Sequence, residues 1–198
     1  MTNINGKAYA MNAITPMKPW KTWILRAFFF ILGHVKPLQS NLVNLSFIHF
    51  ARWVIVPRRS FPRLSEQQPK DHLRYDYLIF FSNFNGTWNQ YIDAFSAVLS
   101  TGLNLIWRWS EKFPGSVPVT PFKDYIERCQ FETDYYYDAY PAATTNDVKA
   151  AHRVQAAFDD LAKRGSKMPA AEFSKAYLHF LVQVQRDLGE TGEPPVGT

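Results

Sequence analysis

The segment WKTWILRAFFFILGHVK, Trp20 to Lys36, limits the chain more than any other. A helix that crosses a bilayer needs about 20 mostly apolar residues. Only nine residues separate Arg26 from Lys36, and His34 is one of them. A cleaved secretory signal would be followed by a small-x-small pattern, but the chain continues HVKPLQSN. On a helical wheel at 100° per residue, Trp20, Ile24, Ala27, Ile31 and Val35 fall within about 80°, flanked by Trp23, Phe30 and Phe28. Lys36, Thr22, Gly33 and Arg26 lie opposite, with Phe29 among them and Lys21 near the apolar edge. This spacing predicts an amphipathic helix over 20–36 that beds into a lipid headgroup boundary. Packing against its own domain or a second subunit is the competing expectation.

Charge is distributed to the same effect. The first 65 residues carry nine Lys and Arg and no carboxylate, whereas the rest carry 13 against 17 Asp and Glu, so a +9 front precedes a −4 remainder. A basic, aromatic segment seeks an anionic partner. Three consecutive phenylalanines favour lipid over nucleic acid, because phosphate contacts gain nothing from desolvating them. The predicted contact residues are Lys18, Trp20, Lys21, Trp23, Arg26, Phe28, Phe29 and Phe30, joined by Arg58 and Arg59 of a later loop. Cys129 is the only cysteine, which excludes an intrachain disulfide and a Cys-based metal cage and fits a reducing, cytoplasmic setting.

Residues 1–19 are polar and without periodicity and read as an extended arm, followed by the helix over 20–36, a domain over 42–188 and a disordered tail over 189–198. LSFIHFARWVIV, Leu45 to Val56, reads as a strand covered on both faces at the centre of the fold. Pro57 to Arg74 is a polar loop with three prolines, and YDYLIFFSNF gives a second strand. Thr87-Trp88-Asn89-Gln90 has the spacing of a capping box, and Trp88, Tyr91, Ile92, Phe95 and Leu99 form a buried helical stripe that Gly102 is expected to end. LNLIWRW, Leu103 to Trp109, alternates like a strand or else prolongs the helix. A short helix opens at Thr120-Pro121, and DYYYDAYP, Asp134 to Pro141, is a further strand candidate. Helices from Thr145 to Gly165 and from Pro169 to Leu188 complete an α+β fold with an antiparallel sheet covered by helices. One sheet face is left to close on another subunit, so a homodimer is among the expected arrangements.

The runs IHFARWVIV, LIFFSNFNGTWNQYIDAF, LNLIW and DAYP resemble a bacterial family of the ferredoxin-like, dimeric α+β-barrel type, over Ile48 to Arg164. The resemblance implies a haem or apolar small-molecule pocket of the kind found in dye-decolourising peroxidases. Those enzymes carry Gly-x-x-Asp-Gly with a distal acid, and Asn83-Phe84-Asn85-Gly86 has amides instead. For such a pocket the candidates are His49, Arg52, Asn83, Asn85, Trp107 and His152. His49 and Arg52, three apart on a strand, are expected on opposite faces. His49 would ligate iron or move a proton, and Arg52 would hold a carboxylate or phosphate. Each also has a structural explanation: a satisfied buried polar group, a turn-forming Asn-Gly, a core tryptophan or a helix-surface histidine. No histidine pair has metal-site spacing, and phosphate-cradling glycine loops, Gly-x-Ser-x-Gly elbows and CxxC repeats are absent from the sequence. The chain therefore reads as a module attached to the cytoplasmic face of a membrane or to a membrane protein complex. The haem or small-molecule carrier is the alternative, and no reaction is specified.

Overall fold

The computed structural model describes residues 3–34 and 45–188. In chain order these form β1 (Ile4–Asn5), β2 (Ala8–Met17), a 3-10 turn (Pro19–Lys21), α1 (Thr22–His34), β3 (Ile48–Val56), β4 (Asp76–Asn85), α2 (Trp88–Trp107), α3 (Val119–Cys129), β5 (Gln130–Phe131), α4 (Thr145–Gly165) and α5 (Ala170–Val184). The tail expected at 189–198, like Val35 and Lys36 of the opening segment, lies outside the described residues.

All strand pairs are antiparallel. β4 runs through the middle, with β2 on one side and β3 on the other, and the far edge of β2 pairs with β1 and β5. The residues expected as an arm are extended but far from free. Ala8–Met17 pairs along its length with β4, and Ala8, Ala10, Met11, Ala13 and Met17 are buried. β3, expected at the centre, is an edge strand. Its Ala51, Trp53 and Ile55 pack on the core while Phe50, Arg52 and Val54 are exposed.

Alternation explains which face is covered. Leu78, Phe80, Ser82 and Phe84 of β4 point to one side, together with Met11, Ala13 and Met17 of β2. Helices α1, α2 and α3 lie over this side, supplying Leu25, Tyr91, Ile92, Phe95, Leu103, Ile106, Trp107, Phe122 and Ile126. The centre is aromatic: Phe84 stacks on Tyr91 with ring centroids 3.9 Å apart, and Trp107 meets Phe80 edge-on at 5.1 Å. Offset and edge-to-face pairs of this kind add to the stabilisation that area burial alone gives.

α2 begins at the predicted capping box, in which Thr87 Oγ1 accepts from the Gln90 amide and Gln90 Oε1 accepts from the Thr87 amide. It does not stop at Gly102. The helix kinks at Leu99 (φ −116°, ψ 19°) and continues to Trp107, so LNLIW is helical. Nothing lies within 4 Å of where a Cβ on Gly102 would stand, so this glycine occupies an open helix position. DYYYDAYP forms no strand; Tyr135, Tyr137 and Tyr140 are exposed, and the segment crosses the outer sheet face as irregular chain.

α4 is capped by Thr144, one residue before the expected Thr145, in a reciprocal box with Asp147. α4 and α5 form a hairpin with a small core of its own: Leu161, Phe180 and Val184.

Candidate functional site

Two groups of candidate residues sit at opposite ends of the sheet. At the end where β2 and β3 finish and β4 starts, the Trp20 to His34 segment and the loop from Pro57 to Tyr75 both leave the strands. Asp76, 4% exposed, joins them. One of its carboxylate oxygens accepts the Thr22 hydroxyl proton, and the other accepts from the Arg58 amide at 2.8 Å.

α1 is packed on the side that brings Leu25, Phe28 and Phe29 to the core, and Phe29 meets Trp53 at 6.1 Å. The wheel placed Phe29 with the polar residues, whereas Phe29 packs on the core. Of the apolar face expected to meet lipid or, alternatively, its own domain, Trp20 (63% exposed), Trp23 (68%), Phe30 (68%) and Ile31 (52%) stand in solvent, along with Ala27 and the neighbouring Arg26. The reason is geometric: Leu25, Phe28 and Phe29 share the side that packs on the core, which leaves the broader aromatic side outward. The predicted contact set therefore divides. Phe28 and Phe29 are structural, whereas Trp20, Trp23, Arg26 and Phe30 are free to touch something else.

Cations border this stripe. Lys21 Nζ lies 5.4 Å from the Trp20 ring centroid, and Lys18 pairs with Glu111 at 3.8 Å. Arg59 is exposed and Arg58 is partly so. Spacing in sequence could not show that Arg58 and Arg59 approach the helix start, because Asp76, some 50 residues beyond Thr22, makes the link. Ile31, on the wheel's apolar face but not among the contact residues expected from sequence, is exposed in the same stripe.

At the other end lie His49, Asn83 and Asn85. A β-bulge between Ile48 and Phe50 puts His49 and Phe50 both on the exposed side, so His49 and Arg52 share the outer face rather than occupying opposite ones. Asn83 Nδ2 donates to the Tyr136 hydroxyl at 2.6 Å. Asn85 donates to the Lys7 carbonyl at 2.8 Å and accepts from both the amide and the hydroxyl of Thr145 at 3.0 Å. These bonds tie Asn83 to the 130–145 segment and Asn85 to Lys7 and the start of α4.

His49 as a residue is exposed, yet burial around its ring is the strongest influence and lowers its pKa; Asp138 and a hydrogen bond with Asn85 pull the other way. Burial raises the pKa of Tyr136, and the nearby Asp138 adds to this.

The remaining pocket candidates lie elsewhere. The guanidinium of Arg52 rests 4.9 Å from the Phe81 ring centroid on the outer face. Trp107, 1% exposed, is in the core on the opposite side of the sheet, and His152 is on the exposed surface of α4. With Trp107 inside the core on one side of the sheet, His49, Arg52, Asn83 and Asn85 on the other and His152 on the surface of α4, the six residues do not converge on one pocket that would fit a haem.

Among the described residues, no group of three or more His, Cys, Asp or Glu is arranged to hold a metal ion. No helix among them is long and apolar enough to cross a membrane. No protein-family model matches the chain, and no curated protein or solved structure matches it. The family resemblance drawn above therefore rests on the quoted residues alone.

Proposed function

We propose that this protein is a peripheral membrane module, an accessory or interaction subunit rather than a catalyst, that rests on anionic lipid through α1 and the basic loop after β3. The observation that carries this reading is the stripe of Trp20, Trp23, Phe30 and Ile31, which stands in solvent while the other side of the same helix is packed. Fully burying each such side chain contributes about 1.5–3 kcal/mol, and a headgroup boundary recovers part of that. Tryptophans at the boundary and cations just outside it match the order of a membrane interface. Each Lys or Arg close to an anionic leaflet adds about 1 kcal/mol. The inner leaflet of the cell membrane is the surface with that charge, and it gives a cytoplasmic location.

We also read the sheet as ferredoxin-like. Supporting this, the chain runs β2, helix, β3, β4, helices, β5, while the strands lie side by side as β5, β2, β4, β3.

Flotation with vesicles of phosphatidylcholine and phosphatidylglycerol tests the membrane reading. Trp20→Ser, Trp23→Ser and Phe30→Ser combined should abolish binding while leaving the fold intact, since all three are exposed. Undiminished flotation of that variant would overturn the reading. Binding to detergent-extracted membrane protein but not to protein-free vesicles would replace lipid with a protein partner.

A further inference from the structure

The loop after β3 is more than a diffuse source of positive charge. Between Pro57 and Tyr75 it carries Arg58, Arg59, Arg63, Lys70 and Arg74 against Glu66 and Asp71. Four of those cations, with His72, line a single cleft of about 410 Å³ whose remaining walls are Phe61, Leu73 and Asp71. That volume lies within the range of about 300–1,000 Å³ usual for small-ligand sites. We propose that this cleft binds a phosphate monoester or pyrophosphate group, with the organic part of the ligand against Phe61 and Leu73.

Three observations support this. First, the cations are not neutralised by ion pairs: those among the described residues engage Lys7, Lys18, Lys123, Arg153 and Arg164, and none involves Arg58, Arg59, Arg63 or Lys70. Four like charges around one cleft repel one another, and an anion relieves that repulsion.

Second, the wall is held in shape by bonds that leave charge to spare. The backbone amide of Arg58, not its side chain, is fixed on Asp76. Arg63 Nη1 reaches the carbonyls of Glu66 and Gln68 at 3.5 and 3.4 Å, and Gln68 Oε1 accepts from the Leu64 amide at 2.8 Å. A loop already folded on itself gives up less conformational entropy on binding.

Third, the charge count selects the ligand. Four permanent cations against Asp71 leave +3 at the rim, which a monocarboxylate would not neutralise. A phosphate group with two or more negative charges and several acceptor oxygens matches both the charge and the forked geometry of arginine. Phosphorylated lipid headgroups and soluble phosphate esters share this chemistry. A lipid source rests on the membrane reading above; the phosphate chemistry does not.

The full-length chain should be titrated with inorganic pyrophosphate by calorimetry at low salt. Saturable one-site binding is expected. It should weaken at least tenfold in Arg58→Gln with Arg59→Gln, weaken also in the exposed-site variant Lys70→Gln, and persist in Lys163→Gln with Arg164→Gln, which removes equal charge from α4. No saturable binding, or equal loss in the loop and α4 variants, would overturn the proposal.

Vesicles of phosphatidylcholine containing phosphatidylinositol 4-phosphate, set against charge-matched phosphatidylserine vesicles, identify the source. A preference for the phosphorylated lipid that vanishes in Arg58→Gln with Arg59→Gln assigns the cleft to a lipid headgroup. Pyrophosphate binding without any vesicle binding supports the cleft with a soluble ligand and removes the membrane reading instead.

Discussion

Thr22, in the first turn of α1, donates its hydroxyl proton to the buried carboxylate of Asp76, the first residue of β4. The same carboxylate accepts from the Arg58 amide, so one side chain fixes both the start of the aromatic helix and the start of the basic loop. Such a bond to a charged acceptor contributes about 1.5–3 kcal/mol, and a buried donor stranded without its partner costs about as much. Asp76→Ala should therefore lower the unfolding free energy by about 3 kcal/mol, read from urea denaturation. Thr22→Val, which removes one donor and leaves the Arg58 bond, should cost about 1.5 kcal/mol. If both cost the same, Asp76 does not couple the two segments.

Phe29 and Phe30 are neighbours with opposite roles. Phe29 packs on Trp53, whereas Phe30 is 68% exposed. Phe29→Ser should destabilise the fold by about 2 kcal/mol, less than a fully buried phenylalanine would. Phe30→Ser should leave stability within about 0.5 kcal/mol but weaken vesicle binding. Urea denaturation and flotation on the same two variants separate packing from contact. A stability loss for Phe30→Ser equal to that of Phe29→Ser would contradict the assignment of faces.

What could be read from the sequence follows the range over which each signal acts. The Thr87 capping box, the Tyr91, Ile92 and Phe95 stripe and the Phe122 and Ile126 face are local patterns, and each forms where expected. β2 was hidden because its burial comes from distant partners. AYAMNAITPM mixes Asn12 and Thr15 with small residues, and only pairing to β4 and β5 encloses it. LNLIW satisfies both helical and strand spacing, and the packing of Leu103, Ile106 and Trp107 on the core decides for helix. At the aromatic helix, the wheel showed one broad apolar face, but the side the domain covers is the one with Leu25, Phe28 and Phe29, which only packing against the distant core selects. Similarly, the bulge at His49 shifts a face by one residue, a change that strict alternation cannot contain.

His49 should make stability depend on mildly acidic pH. Its folded-state pKa lies below the ordinary value of about 6.5, so the unfolded chain binds more protons as pH falls. The linkage sign follows: its contribution is complete above about pH 6.5 and is lost as pH drops through the folded pKa. Urea midpoints at pH 7.5 and 5.5 should differ in the native protein. His49→Gln should reduce that difference, because its side chain does not titrate. An unchanged difference would assign the acid sensitivity to other groups.

The α4 and α5 hairpin is anchored to the body at one end, and the anchor turns on a glycine. Gly6 has φ +58°, and a Cβ there would stand 2.0 Å from the carbonyl oxygen of Pro141, the same oxygen that accepts from the Lys7 amide at 2.8 Å. Gly6→Ala would meet both a backbone clash and an unfavourable φ, so a cost of about 2 kcal/mol or more is expected. Relief should come by moving the Pro141 segment, which loosens the bonds from Thr145 to Asn85 and the 3.5 Å pair between Lys7 and Asp147. Asn85→Ala removes the acceptor for Thr145 directly and should loosen the same joint without touching Gly6. Limited proteolysis should then cut both variants between residues 137 and 146 under conditions where the native chain survives. Because the hairpin keeps its own core of Leu161, Phe180 and Val184, its helices should persist as a fragment after the cut. Cleavage spread over the β-sheet instead would mean that this joint supports the whole fold rather than the hairpin alone.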